Sequence, residues 1–126
     1  MEVKVGDQFS THKQVTENDI NLFADISGDH NPLHLDAGFA SRSIFKQRVA
    51  HGMLTASLIS AALTSMPGTI ILTNICLSFE KPVYIGDKLA ARVTVTNVQN
   101  SKVDLNAEVL RGADTVLSGT AKILRK

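Results

Sequence analysis

The chain has 126 residues, of which 44% are hydrophobic and 20% charged, a length for one domain and a balance that excludes disordered and fibrous proteins. Thirteen Lys and Arg against twelve Asp and Glu give a formal net charge of +1, which excludes the strongly basic surface typical of nucleic-acid or anionic-membrane binding. We therefore predict a single globular domain over residues 1–126, with a small molecule or a locally charged surface as its partner.

The N-terminal residues 1–7 are charged from the second position and lack the apolar core of a secretory signal. The most apolar stretch, residues 53–66, contains five Ser and Thr residues and is shorter than the roughly 20 residues that cross a bilayer. We therefore expect a cytoplasmic protein with neither a membrane nor a nucleic acid as its partner.

The first predicted helix begins after Thr16. Acidic residues, among them Asp19, follow in the manner of a helix cap, and Ile20 and Phe23 then recur at helical spacing. Gly28 ends the pattern. This gives a helix of about three turns that stops just before Asp29.

Residues 28–34, Gly-Asp-His-Asn-Pro-Leu-His, cannot form regular helix. Pro32 has no amide hydrogen to donate, and it pushes Asn31 out of the helical region of backbone space. Asp29 and His34 are therefore predicted to lie on an ordered loop.

A short helix over residues 37–41 and an extended segment over residues 46–50 are predicted to lead into a long helix that opens with Gly52. This helix is apolar or small nearly all round, which is typical of an interior helix. It is predicted to form the centre of the core.

Apolar and polar residues alternate in three later segments, residues 77–80, 93–96 and 103–109, as they do in half-buried strands. The predicted turns, at residues 86–87, 97–101 and 111–114, are too short for crossover helices, so the strands should pair antiparallel. Cys76 lies within residues 73–79, which are also predicted to form a strand, and is expected to be a packed, unreactive thiol. The predicted architecture is α+β, with a long buried central helix wrapped by a curved antiparallel β-sheet, whose open edges favour a homodimer.

The chemistry points to a short stretch. Asp29, Asn31 and His34 lie within six residues of one another, and Gly52 opens the apolar helix. A carboxylate beside an imidazole can activate a water, and a glycine amide at a helix N-terminus can receive charge on an oxygen. A structural interpretation, in which these residues form turns and His34 is a hydrogen-bonded imidazole, fits the same residue types and is favoured by them alone.

A metal site formed by His30, His34 and His51 is a further alternative. His30 and His34 flank Pro32, so they do not share a helical face as paired ligands often do. We expect no metal.

Residues 23–36, Phe-Ala-Asp-Ile-Ser-Gly-Asp-His-Asn-Pro-Leu-His-Leu-Asp, followed by Val-Ala-His-Gly-Met at residues 49–53, resemble the MaoC-like hydratase family. The likeness extends over nearly the whole chain. The resemblance implies a hot-dog fold and a hydro-lyase without a cofactor. Its activity would be the reversible hydration of trans-2-enoyl thioesters to (R)-3-hydroxyacyl thioesters in fatty-acid or polyhydroxyalkanoate metabolism.

Carried over by position, the resemblance implies that Asp29 and His34 are the catalytic pair that holds the water. Gly52 would give its N–H to the thioester carbonyl. Ser60 matches a helix serine that supports the site, and Met53 lies near the same helix face. Both are expected to line the substrate site, although a Ser60 hydroxyl bonded back to the preceding turn is an equal alternative.

Asn31 is expected to orient the loop through its amide and to face the substrate. Arg48 forms a basic cluster with Arg42 and Lys46, which could meet the phosphates of CoA or the acidic surface of an acyl carrier protein. A solvated basic face is the alternative. The expected partner is therefore an acyl-CoA or acyl carrier protein thioester.

Two other functions stay open on the sequence. A hot-dog acyl-thioester hydrolase would direct the same water at the thioester carbonyl. A non-catalytic acyl-CoA-binding module would keep the fold without the reaction, and such a module would be expected to have lost part of the site, whereas Asp29, His34 and Gly52 are all present.

Overall fold

The structure is a computed structural model and describes residues 2–126. In this part of the chain the strands are β1 (Gln8–Gln14), β2 (Ile70–Phe79), β3 (Lys88–Gln99), β4 (Lys102–Arg111) and β5 (Asp114–Arg125). The helices are α1 (Glu17–Ser27), α2 (Pro32–Leu35), α3 (Ala37–Ser41) and α4 (Gly52–Thr64). The strands form one sheet in the order β1-β3-β4-β5-β2, and every pair is antiparallel.

The core lies between one face of this sheet and α4. Alternate residues of the central strands point inward and are buried: Leu89, Ala91, Val93 and Val95 from β3, and Val103, Leu105, Ala107 and Val109 from β4. Ile59 and Leu63 of α4 are also fully buried and belong to the same apolar cluster. Each large side chain buried in this way contributes about 1.5–3 kcal/mol of transfer free energy. The predicted α+β arrangement, with α4 packed on an antiparallel sheet, is confirmed.

The sheet is larger than the sequence pattern indicates. β1 was not predicted, because it is a polar edge strand whose Phe9 alone supplies a large apolar side chain, opposite Val93. β5 follows the turn at residues 111–114 and was not predicted as a separate strand. β3 also continues to Gln99, past residue 97, where a turn was expected.

The helix α4 is not buried all round, contrary to the prediction. Its outer face exposes Met53, Ser57, Ser60 and Thr64 at helical spacing, while the opposite face packs on the sheet. Small and hydroxyl residues are compatible with either environment, so composition alone did not distinguish the two faces. No helix in residues 2–126 is long and apolar enough to cross a membrane.

The edge strand β2 is exposed along nearly its whole length. Cys76 is exposed there, so the prediction of a packed thiol is wrong for the single chain. Ile71, Ile75 and Phe79 of the same strand also leave much of their surface open to solvent. An apolar strand of this kind is packed only if something else covers it.

The segment that precedes α4 is a series of turns and not the predicted extended stretch. Lys46 has a positive φ of 65°, and only Val49 makes a bridge, to Tyr84. The segment nevertheless carries Val49 and Ala50 into the core, which fixes the start of α4.

Candidate active site

The loop with Asp29 begins where α1 is sharply ended. Thr16 and Asp19 form a reciprocal capping box at the helix start, as predicted. Gly28 closes the other end in the left-handed conformation, with a φ of 78° and its N–H bonded to the Ala24 carbonyl, a geometry that glycine adopts without strain. Asp29 is therefore the first residue of the chain after a fixed helix end.

Two short polar contacts then order the chain. The Asp29 carboxylate accepts a hydrogen bond from the Asn31 amide at 3.2 Å. The Asn31 side chain accepts one from the Leu33 amide at 3.0 Å and caps α2, with Pro32 in its first turn. His34 consequently lies on a one-turn helix and not on a loop as predicted, because proline is well suited to the first position of a helix.

The ring of His34 is held in one tautomer. Its Nδ1 lies 2.8 Å from the Val49 carbonyl oxygen, and a carbonyl can only accept, so Nδ1 carries the hydrogen in the neutral ring. The Nε2 atom then has a free lone pair. His34 is half-buried, and this lone pair is the basic group that it offers.

His51 lies directly against His34. The two ring centroids are 4.0 Å apart with planes tilted by 31°, and Phe23 packs on His51 with centroids 4.9 Å apart. The His51 Nε2 atom is 3.0 Å from the backbone carbonyl oxygen of Asp29. Only 1% of His51 is exposed, so this imidazole is built into the wall of the site.

The Asp29 carboxylate, His34 and His51 form one cluster in which an oxygen or nitrogen from each lies within 4.8 Å of the others. Two atoms that share one bridging water are about 4.6 Å apart when each hydrogen bond is about 2.8 Å long and the water is tetrahedral. The cluster therefore has the spacing that a carboxylate and an imidazole need to hold a water between them.

The same three residues could be considered as metal ligands, with Asp29 in place of His30. Imidazole lone pairs lie in the ring planes, and the rings of His34 and His51 face each other. Their lone pairs therefore converge only well beyond the roughly 2 Å at which an imidazole nitrogen binds zinc. His30 lies outside this cluster, and its exposed ring is directed to the Gly28 carbonyl.

Gly52 is the first residue of α4 and follows His51 directly. His51 is the N-cap but makes no side-chain hydrogen bond to the helix. The Leu54 and Thr55 amides donate to the His51 carbonyl, so the Gly52 and Met53 amides remain available to another acceptor. A Cβ atom on Gly52 would lie 3.0 Å from the Phe79 ring. A cavity of about 370 Å³ lies here, and Leu33, Gly52, Thr55 and Phe79 are among its lining residues.

Met53 and Ser60 lie on the exposed face of α4 that starts at Gly52. Ser60 is eight residues further along the helix, roughly 12 Å from Gly52 along the axis. Within residues 2–126 its hydroxyl has no hydrogen-bond partner, so the alternative in which it bonds back to the preceding turn is not observed. Ser57 on the same face is the residue that bonds back, to the Leu54 carbonyl at 2.5 Å.

Arg48 points into the protein. Its guanidinium and Nε donate to the His34 carbonyl at 2.6 Å, to Glu17 at 2.8 Å and to Asn21 at 3.2 Å, and only 10% of the side chain is exposed. Arg42 and Lys46 are exposed. The predicted basic cluster is therefore divided, because Arg48 uses its donors to hold α2 against α1.

The comparisons with known proteins identify the family of the chain. Residues 2–116 match the model of the MaoC like domain. The chain belongs to the MaoC-like family. It is 40% identical to an (R)-specific enoyl-CoA hydratase from Rhodospirillum rubrum over 98% of this chain and 88% of that protein. It is 36% identical to a 3-hydroxybutyryl-CoA dehydratase from Methylorubrum extorquens over 97% of this chain and 80% of that one.

Solved structures of MaoC-like proteins confirm the hot-dog fold. The (R)-hydratase from Aeromonas caviae involved in PHA biosynthesis is 33% identical and superposes with a TM-score of 0.93 over 98% of both chains. A protein from Archaeoglobus fulgidus is 38% identical with a TM-score of 0.97, over all of this chain and 81% of that one. A fluoroacetyl-CoA-specific thioesterase shares the fold at 16% identity.

Sequence reasoning considered His51 only as a metal ligand and did not include it in the acid/base site. Its place immediately before Gly52 was the available signal, because a helix that begins in the site puts its N-cap there too. The ring contact with His34, 17 residues earlier in the sequence, depends on tertiary packing and could not be predicted from spacing.

Proposed function

We propose that this MaoC-like protein is a hydro-lyase that reversibly hydrates trans-2-enoyl thioesters to (R)-3-hydroxyacyl thioesters. One observation carries the proposal: an oxygen of the Asp29 carboxylate and a ring nitrogen of His34 come within 4.8 Å of each other, beside the helix end that Gly52 opens. The names of the relatives, which include hydratases and dehydratases of CoA and acyl-carrier-protein thioesters, support it.

In the hydration direction, Asp29 and His34 hold the water, and one of them takes a proton from it as its oxygen bonds to C3. The electron pair of the C2–C3 double bond moves toward the thioester carbonyl, and the Gly52 amide stabilises the enolate-like oxygen. A proton delivered to C2 by the same pair then completes the addition, so that one water is consumed and no redox step occurs.

Other residues have supporting roles in this proposal. Asn31 orients the loop, because it bonds both to the Asp29 carboxylate and to the first turn of α2. Met53 and Ser60 line the exposed face of α4 along which the acyl thioester extends. Arg48 fixes His34 through its carbonyl, an arrangement that argues against a direct contact with a substrate phosphate.

The test is a hydration assay in which crotonyl-CoA loses its enoyl absorbance. Asp29→Asn and His34→Ala should each lower kcat at least about 10²-fold while circular dichroism shows a folded protein. His30→Ala is the matched control, because His30 is a neighbouring exposed imidazole outside the cluster. Near-normal turnover in either folded site variant would refute the acid/base assignment.

The same assay separates hydration from hydrolysis. Release of free thiol from saturated butyryl-CoA, without hydration of crotonyl-CoA, would identify a thioesterase, and binding without either reaction would identify a binding module. Parallel kinetics with crotonyl-CoA and a crotonyl acyl carrier protein assign the carrier, since the relatives' names include both kinds of thioester.

We also propose that the protein is a homodimer formed through β2. β2 is an edge strand, and its Ile71, Ile75 and Phe79 side chains are 38–55% exposed, a combination that edge strands of monomers avoid. Ile75→Lys should convert the dimer to a monomer in light scattering after gel filtration. Val5→Lys, an exposed apolar residue next to β1 at the opposite sheet edge, is the control that should remain dimeric. A monomeric wild-type protein would refute the proposal.

A further inference from the structure

His51 touches both members of the proposed acid/base pair, at the ring of His34 and at the backbone of Asp29. Its ring lies against the ring of His34 at 4.0 Å, and its Nε2 atom meets the backbone carbonyl of Asp29 at 3.0 Å. Phe23 packs on the ring with centroids 4.9 Å apart. His51 is also the N-cap of α4, so it is joined covalently to Gly52.

The hydrogen bond to the Asp29 carbonyl fixes the tautomer of the neutral His51 ring. A carbonyl oxygen only accepts, so Nε2 carries the hydrogen and Nδ1 has a bare lone pair. That Nδ1 is buried and has no hydrogen-bond partner in the described part of the chain.

A buried acceptor without a partner lowers stability. An apolar aromatic ring at position 51 would pack on Phe23 and His34 without that cost. What the imidazole adds over such a ring is its N–H, which is directed at the Asp29 backbone.

We propose that His51 is a positioning residue for the reaction, an inference that rests on the proposed hydration function. Its N–H holds the Asp29 backbone beside the N-terminus of α4, and its ring limits the orientations open to His34.

Two variants separate the two contacts. His51→Phe keeps an aromatic ring against His34 but removes the hydrogen bond to Asp29. His51→Gln keeps an amide donor near the position of Nε2 but removes the ring. In crotonyl-CoA hydration, His51→Phe should lower kcat about tenfold to hundredfold with KM changed by less than about threefold and with an unchanged or higher melting temperature. His51→Gln should recover part of the lost kcat.

Wild-type kcat in a folded His51→Phe variant would overturn the proposal. A kcat that falls only because the variant is less stable, as shown by a lower melting temperature, would also overturn it, because that is the behaviour of a purely structural residue. His30→Phe, at an exposed imidazole outside the cluster, is the control and should leave kcat unchanged.

Imidazole ¹⁵N NMR tests the same proposal without relying on turnover. The wild-type protein should show His51 protonated at Nε2 and His34 protonated at Nδ1. His51→Phe should cause the His34 signals to move toward a mixture of tautomers. A His51 ring protonated at Nδ1, or His34 signals that do not respond to His51→Phe, would overturn the positioning role even if the protein proved not to be a hydratase.

Discussion

The segment of residues 16–51 and the sheet with α4 are held together by different forces. Alternating apolar residues on the central strands form the core beneath α4. In the segment, side chains donate to backbone carbonyls: His34 to Val49, Arg48 to His34 and His51 to Asp29. Apolar packing tolerates small shifts at modest cost, whereas hydrogen bonds fix direction. The sheet and α4 therefore act as a scaffold that provides stability, and residues 16–51 fix the orientation of the site side chains.

The largest effect should come from the scaffold. Leu105, in the middle of β4, is fully buried, and Leu105→Ala should lower the free energy of unfolding by about 2–5 kcal/mol because it leaves a cavity. Urea denaturation measures the loss. Asn106→Ala, at the exposed neighbouring position, should change stability by less than about 0.5 kcal/mol. If Leu105→Ala lowered the free energy of unfolding only slightly, or lowered kcat per folded molecule, the division between a stabilising scaffold and a segment that orients the site would be contradicted.

At the boundary between the regions, Gly52→Ala should lower kcat/KM about 10²-fold with little change in melting temperature. The added methyl lies 3.0 Å from the Phe79 ring, a contact that a shift of a few tenths of an ångström by this side chain relieves, so the main effect is to crowd the amide. Steady-state kinetics with crotonyl-CoA measures it. The double variant Gly52→Ala with Phe79→Ala removes the ring contact; if it regained full activity, the oxygen-binding role of the amide would be contradicted.

Within the segment, Arg48→Ala should lower kcat about tenfold, because His34 loses the contact that holds its carbonyl. Arg48→Lys should not restore it, since one ammonium cannot replace a fork that meets three acceptors. Arg42→Ala, at an exposed position, is the control and should leave kcat unchanged. A rise in KM alone in Arg48→Ala would instead favour the direct substrate contact that the sequence suggested.

The smallest effect should come from the start of the segment. Thr16→Ala removes the capping hydrogen bond of α1 and should cost about 1 kcal/mol in urea denaturation at pH 7. Ser10→Ala, at an exposed residue of β1, should cost less than about 0.5 kcal/mol. Equal losses in the two variants would show that the cap does not hold the segment.

The same cap makes a pH prediction. Burial of Asp19 opposes its ionisation, but hydrogen bonds from Thr16 and Lys13 outweigh the burial and hold the pKa of Asp19 below its ordinary value of 3.8. A lowered pKa stabilises the fold above that ordinary value, and the stabilisation is lost as pH falls through the folded-state pKa. The difference between wild type and Thr16→Ala should therefore be smaller at pH 2 than at pH 7, and a larger one would contradict this origin.

The features that depend only on residues close together in the sequence were predicted correctly. The Thr16 cap, the Gly28 stop and the alternation of β4 all follow from residues within one turn or one strand of each other. The start of α4 at Gly52 was predicted for the same reason. These features needed no knowledge of which elements become neighbours.

Features that depend on contacts between distant parts of the chain were not predicted. β1 is polar and becomes a strand because it pairs with β3, more than 70 residues away. Arg48 resembled a surface cation, but it bonds to Glu17, 31 residues earlier. Cys76 looked packed because its strand is apolar, yet the sheet order places that strand at an edge. The sequence pattern shows whether a face is polar or apolar, but it does not show which element packs against that face.

The hydrogen bonds that orient the site residues are accepted by the backbone carbonyls of Asp29, His34 and Val49. A carbonyl is present whatever the side chain, so the acceptor at position 49 would survive the replacement of Val49 by another residue that fits the core. Relatives could therefore vary at the accepting position and keep the same orientation of His34. The donor side chains cannot be replaced in this way. When the site is sought in a distant sequence, these donor side chains are therefore a better guide than the residues whose carbonyls accept from them.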